Sequence, residues 1–267
     1  MRCIYCQKEQ KGKPHVAHIF PEGLLGASQL ILKDGQVCLQ CNNWTSTLET
    51  FLIKEIGFLG FLTGTGITKR GKPKRIDQLG IAGSRDKQNP WIFINQSSRV
   101  IAAPDGTRVS PDKLGKIKMT KPEDIGNGYV SFKVKQKFRT NKQFCRAITK
   151  IAFEGICYFW GENKCNESRF DPIRDYVMKG TGARSFIVPK NLTFNAPANS
   201  SFMPKAQITV DKNSNNHNPV VIVQLGFPFV VDLSEEGNFL RNISMILPSE
   251  VQNQWTIFRD DHLKGKK

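Results

Sequence analysis

Two cysteine pairs and a histidine segment carry the chemistry that this sequence offers. Cys3-Ile4-Tyr5-Cys6 and Cys38-Leu39-Gln40-Cys41 are both CxxC. In such a pair the second thiolate turns back onto a metal held by the first. Two pairs then complete a closed tetrahedral shell of four sulfurs, the arrangement of a structural zinc. A segment this short buries little apolar surface, so the metal is expected to supply much of its folding free energy. Between the pairs runs His15-Val16-Ala17-His18-Ile19-Phe20-Pro21. An imidazole that titrates near neutrality can take a proton from water at physiological pH, and His18 is the focal candidate for that task. Asn42 and Glu49 follow the second pair and are oxygen donors suited to a hard cation such as magnesium. His15 is a further candidate ligand; its alternative is a surface residue after Pro14. Phosphodiester hydrolysis needs an activated water, neutralised charge on the phosphoryl oxygens and help for the departing alkoxide. One histidine and one divalent cation supply all three. The expected cofactors are therefore structural zinc and a catalytic Mg2+ or Mn2+.

These residues need elements to hold them. His18 is predicted on a β-hairpin strand, beside the helix that follows Cys41. Ser46-Thr47-Leu48-Glu49 has the form of a capping box, and Leu48, Phe51, Leu52, Ile56 and Leu59 continue at helical spacing. Residues 64–89 form a basic linker in which Lys69, Arg70, Lys72, Lys74 and Arg75 surround Gly71 and Pro73. Phosphate contact is the favoured role for this loop and a solvated connector the alternative. From Pro90 the pattern changes to strands: Trp91 to Asn95, then Arg99 to Ile101 paired with it. Tyr129 to Arg139 alternates, with Lys133, Lys135, Lys137 and Arg139 on one face. That basic row either lies along a duplex or protects a sheet edge. A helix is predicted over Thr140–Trp160, with Thr140 and Gln143 as capping box and Gly161 at its end. Its buried side is read as Phe144, Ile148, Ile151, Ala152, Gly155, Ile156 and Phe159. A short helix follows, with Asp171 as N-cap, Pro172 as first residue and Gly180 just past its end. Strands are expected at Ala206–Val210, Val220–Leu225, Phe227–Leu233 and Ile243–Leu247, and the last ten residues as a frayed basic tail.

Bulk properties narrow the classes. The chain has 267 residues, 39% hydrophobic and 10% aromatic, which is enough to build real cores. No apolar run has the length of a membrane span; the segment Phe51–Leu62 is interrupted by Lys54 and Glu55. The N-terminal residues lack a signal-peptide pattern, so a cytoplasmic protein is expected. The formal net charge is +16, from 39 Lys and Arg against 23 Asp and Glu, which favours a polyanionic partner, nucleic acid first. Seven cysteines, an odd number, argue against a complete disulfide framework. Cys145 and Cys157, on the central helix, read as small buried hydrophobes. His217 and His262 read as solvated residues without a role.

Cys3-x-x-Cys6, His18-Ile19-Phe20-Pro21-Glu22-Gly23-Leu24 and Cys38-x-x-Cys41-Asn42-Asn43 together resemble the HNH endonucleases, and within them the zinc-containing branch whose ββα-metal motif is held by two CxxC pairs. The resemblance covers roughly residues 1–60, in order, spacing and residue type. It implies His18 as general base. Asn42 matches the Asn after the last cysteine, which in some members binds the catalytic metal and in others braces the loop. Glu49 sits where related members place an acidic helix residue. One position departs: the residue before the catalytic histidine is commonly Asp or Glu and ligates the metal, whereas here it is Ala17. Three explanations stay open. His15 or Glu49 completes the metal site, the chain is an engineered inactive variant, or it is a binding module that has lost catalysis.

The expected fold is α+β, with an N-terminal zinc-stapled ββα-metal module over 1–63, the basic linker over 64–89, and a mixed strand and helix domain over 90–267 for DNA binding or specificity. The expected function is a metal-dependent endonuclease acting on DNA, in the manner of a bacterial or phage restriction or defence nuclease. The biological setting is analogy alone. A homodimer would suit two-stranded cleavage, because one such site cuts one strand. The alternative from another class is a non-catalytic zinc-finger module that binds nucleic acid.

Overall fold

The computed structural model describes residues 2–10, 16–21, 30–32, 35–62, 141–189, 207–210, 219–225, 228–244 and 255–262, together with short strands between 93 and 136 and at 193–195. For those short strands and for 54–62 the description is of the backbone alone.

Strand β1 (Ala17–His18) pairs antiparallel with β2 (Ile31–Leu32), placing Ala17 opposite Leu32 and His18 opposite Ile31. Helix α1 follows at Leu39–Leu62. It starts earlier than the capping-box pattern suggests. Ser46 lies inside it, and its hydroxyl donates back to the Asn43 carbonyl at 2.6 Å instead of capping. The helix begins within the second CxxC. There the Cys41 N–H donates to Cys38 Sγ at 3.3 Å, the bond that an oxygen side chain makes at an ordinary N-cap.

Three small sheets use residues 93–136 and 193–195. In the first, β3 (Phe93–Asn95) pairs with β4 (Val100–Ala102), as expected, and β4 with β5 (Arg108–Val109). The single strand expected over Tyr129–Arg139 is two strands in different sheets. In the second sheet, β6 (Ile117–Met119) is one neighbour of a strand introduced below. In the third, β7 (Glu123–Gly126) pairs with β8 (Tyr129–Ser131). The remaining piece, β9 (Lys133–Gln136), is the middle strand of the second sheet, so Lys133 and Lys135 do not lie on an edge.

Helix α2 (Lys142–Trp160) is capped by Asn141, whose side chain accepts from the Phe144 N–H at 2.9 Å, and not by Thr140. It ends at Gly161, which has φ +85°. Every residue of α2 from Phe144 to Cys157 is buried except Arg146, so it is a core helix with more than one covered face. Phe159, expected on the buried side, is 51% exposed. Cys157 is disulfide-bonded to Cys165 of the short helix α3 (Glu162–Cys165), not a free buried thiol. Helix α4 (Asp171–Lys179) starts one residue earlier than expected: Phe170 is the N-cap and Asp171 the first helical residue, while Gly180 closes it with φ +74°.

The largest sheet contains β10 (Ser185–Pro189), β12 (Gln207–Val210), β13 (Val220–Gln224), β14 (Pro228–Asp232) and β15 (Trp255–Arg259), with β11 (Thr193–Asn195) pairing elsewhere, beside β9. Its order is β12-β13-β14-β10-β15, all antiparallel. β10 and β15 were not foreseen. Part of the strand expected at Ile243–Leu247 is helical, because α5 spans Phe239–Ser244. The tail is also ordered further than expected. Asp260 is buried and accepts from the Arg184 N–H at 2.8 Å and from the Tyr176 hydroxyl.

α2 packs between this sheet and the cysteine segment. Phe144 meets Phe229 of β14 edge-on, at 5.6 Å between ring centroids. Gly155 lets Ile208 of β12 approach; a Cβ at position 155 would come within 2.8 Å of that side chain. On another face Phe153 meets Tyr5 at 5.7 Å. One buried apolar cluster therefore runs from Cys3, Ile4 and Tyr5 through Leu52 and α2 to Val231 and Leu233. The cysteine segment is therefore packed against the helix that covers the sheet, in addition to whatever its four cysteines bind.

Candidate metal centre and histidine site

The four cysteines expected to bind zinc come together. The Sγ atoms of Cys3, Cys6, Cys38 and Cys41 all lie within 4.8 Å of one another. Among the described residues they are the group of three or more His, Cys, Asp or Glu donors placed to share an ion. Zinc–sulfur bonds of about 2.3 Å in a tetrahedron put the sulfurs about 3.8 Å apart. Cys6 and Cys38 are already 3.8 Å apart. The local backbone is shaped for this. Gln7 has φ +58°, its N–H donates to the Cys3 carbonyl at 2.9 Å, and the Cys38 N–H donates to Cys3 Sγ at 3.4 Å. Amides aimed at sulfur stabilise thiolate. A hydrogen bond from Cys41 pulls the Cys3 thiol down to about 4, against the opposing effect of burial. The same bond pushes Cys41 up, and burial pushes Cys6 up. The set fits a structural zinc.

His18 lies on β1 and is half-buried, whereas the preceding Ala17 is 2% exposed and opposite the buried Leu32. Adjacent strand residues point to opposite faces, so position 17 faces the core and position 18 faces away from it. Asn42, one residue past the last cysteine, sits half-buried in the first turn of α1, and its N–H donates to the Cys38 carbonyl at 2.8 Å.

Glu49 is also on α1, and its carboxylate is paired with the Lys150 ammonium of α2 at 2.5 Å. The same ammonium meets Glu154 at 2.8 Å and donates to the backbone carbonyls of His18 at 3.0 Å and Ile19 at 3.3 Å. Glu154 in turn accepts from the Tyr5 hydroxyl at 2.9 Å. Thus the first CxxC, the histidine strand, α1 and α2 converge on one buried charged cluster. Burial, only partly offset by Lys150, pushes the Glu154 carboxyl up to about 7. Burial alone would lower Lys150, but the two carboxylates and their hydrogen bonds carry it above its ordinary value.

A second clamp holds the first CxxC. Arg174 of α4 donates to the Ile4 carbonyl at 2.7 Å and to the Cys165 carbonyl, and pairs with Asp171. Gln7 donates to Asn166 Oδ1 at 2.9 Å. Arg146 of α2 lies over the Trp44 ring of α1, 4.9 Å from its centroid.

Lys150, Glu154, Tyr5 and Arg174 were not singled out by the sequence. The available signal was a Lys–Glu pair four residues apart inside the apolar stretch from Ile148 to Ile156. A charge there must find a partner. His15, Lys69, Arg70, Lys72, Lys74, Arg75 and Lys137 lie outside the described residues. Lys133 and Lys135 are placed by their backbone only. No helix among the described residues is long and apolar enough to cross a membrane. The chain matches no protein-family model, no curated protein and no solved structure.

Proposed function

We propose that the chain is an endonuclease of the HNH type, with His18 as general base, a structural zinc on Cys3, Cys6, Cys38 and Cys41, and DNA as substrate. The observation that carries this is the placement of His18. It sits on a two-stranded hairpin whose backbone accepts from Lys150 of α2, and Lys150 pairs in turn with Glu49 on the helix that begins inside the second CxxC. That order of elements agrees with the ββα-metal motif that the sequence resembles, and the net charge of +16 suits a polyanionic substrate.

In this scheme the His18 imidazole takes a proton from water. The resulting hydroxide attacks phosphorus as the bond to the 3′-oxygen breaks, and the departing alkoxide takes a proton from solvent water, which leaves a 5′-phosphate and a 3′-hydroxyl. A bound Mg2+ or Mn2+ would neutralise charge on the phosphoryl oxygens and the leaving group. Of the donors considered for that cation, Asn42 is in the first turn of α1, Glu49 is paired with Lys150, and His15 lies outside the described residues. A zinc held by all four thiolates would have a closed shell, with no open position for the reaction.

The buried methyl of Ala17 favours a second possibility, a zinc-dependent nucleic-acid-binding module without catalysis. Supercoiled plasmid incubated with the zinc-loaded chain in Mg2+, Mn2+ or EDTA separates the two. Nicking that requires a divalent cation and falls about 100-fold or more in His18→Ala supports the nuclease. Salt-sensitive DNA binding without nicking under any divalent cation overturns it in favour of the binding module.

A further inference from the structure

Lys150 is 0% exposed and stands at the junction of three elements, α2, α1 and β1. An ammonium has three protons to donate. Here they face four acceptors: Glu49 at 2.5 Å, Glu154 at 2.8 Å, the His18 carbonyl at 3.0 Å and the Ile19 carbonyl at 3.3 Å. The contact with the His18 carbonyl is to the backbone of the histidine residue itself, so it sets the position of the Cα from which the imidazole projects. β1 is only two residues long and pairs with a strand of two, so its ladder alone fixes it weakly. Beside it the Ile19 N–H donates to the Leu30 carbonyl at 3.2 Å, and the buried cation adds an anchor on the His18 carbonyl itself. It also occupies one oxygen of Glu49, the acidic helix residue that would otherwise be a ready ligand for a divalent cation.

We infer that Lys150 is the positioning residue for His18, and that Glu49 serves as its counter-ion and not as a ligand of the catalytic cation; this rests on the nuclease role proposed for His18. The cluster is wired as a support. Glu154 braces Lys150 from the same helix and ties it, through the Tyr5 hydroxyl, to the first CxxC. The zinc-holding segment and the base are thereby referred to one point on α2.

The test uses the zinc-loaded full chain in three variants. In Lys150→Met/Glu49→Gln the cation and one carboxylate leave together, so the remaining Glu154 can stay protonated. Lys150→Arg keeps the charge and the donors. Glu49→Gln removes one of the two carboxylates paired with Lys150 and leaves Glu154. The readouts are zinc content, the ring C–H NMR signal of His18, Mn2+ affinity by electron paramagnetic resonance, and steady-state cleavage of a DNA duplex. The double variant should retain zinc, move or broaden the His18 signal, and lower kcat about 100-fold with KM within about twofold, the penalty for a base displaced by about 1 Å. Lys150→Arg should restore the His18 signal and at least a tenth of kcat. Glu49→Gln should leave Mn2+ affinity within about twofold. An unchanged His18 signal in the folded double variant overturns the positioning role. A loss of Mn2+ affinity beyond tenfold in Glu49→Gln overturns the counter-ion role, and this arm decides even where the double variant does not fold. Wild-type protein that never cuts DNA sinks the nuclease assignment separately, because the NMR and Mn2+ results do not depend on cleavage.

Discussion

Glu154 should give the folded protein a distinctive dependence on pH. Its carboxyl is 1% exposed, between the Lys150 ammonium at 2.8 Å and the Tyr5 hydroxyl at 2.9 Å, and burial raises it from 4.5 to about 7. A carboxyl raised on folding favours the folded state while it is protonated. Below 4.5 that contribution is fully present. Between 4.5 and about 7 the unfolded chain releases the proton and the folded chain keeps it, so stability falls as pH rises. Above about 7 both are ionised and the dependence ends. At about 1.4 kcal/mol per unit, a rise of this size corresponds to a loss on the order of 3 kcal/mol across the window. Lys150 titrates in the alkaline range, outside it. Glu154→Gln removes the titration and retains the shape, the acceptor for Tyr5 and the Lys150–Glu49 pair. Urea unfolding of both proteins from pH 4.5 to 8, with zinc in excess, gives the difference in stability at each pH. Subtraction removes whatever the zinc thiolates contribute to both. The wild type should lose about 3 kcal/mol relative to Glu154→Gln as pH rises to about 7. A flat difference, or one of opposite sign, would refute the buried-carboxyl reasoning.

Two further perturbations test the rest of the scaffold. Elemental analysis should find close to one zinc per chain, and stripping it should lower the melting temperature, since a metal at a hundred times its Kd stabilises by about 2.7 kcal/mol; four cysteines that retain no zinc and an unmoved transition would contradict the metal centre. Ala17→Asp should destabilise by several kcal/mol or force the new carboxyl to stay protonated, because position 17 is 2% exposed and faces the core; a variant of wild-type stability with increased nicking would show that the side chain can reach the site after all.

Features set by short-range chemistry were legible in the sequence. The two CxxC pairs predicted their own convergence, because a shared ion needs that spacing. The hairpin at His18 and the core helix ending at Gly161 were also readable from local pattern. Local pattern misled where tertiary structure supplied the partner. Ser46-x-x-Glu49 has the form of a capping box, yet the helix is started by the turn of the second CxxC, and Glu49 is drawn to Lys150 and not back to its own backbone. Asn141 is the cap of α2, one residue later than the local pattern suggests, because its side-chain oxygen reaches the Phe144 N–H. β10 and β15 are not legible locally because each depends on a partner far along the chain, Ser185 with Arg259 and Pro189 with Trp255. The spacing of Lys150 and Glu154 at i and i+4 shows that they can pair with each other but not which other elements they meet. Only the packing of the cysteine segment and α1 over α2 encloses them.

The role of His18 as general base is tested most directly by chemical rescue. Single-turnover cleavage of an end-labelled duplex by zinc-loaded His18→Ala is measured over a range of added imidazole, at fixed Mn2+. Cleavage should be about 100-fold or more below wild type without imidazole. It should rise and saturate as imidazole is added, whereas the wild-type rate stays unchanged. Cleavage by His18→Ala at the wild-type rate without imidazole, or no cleavage by the wild type, would contradict that role.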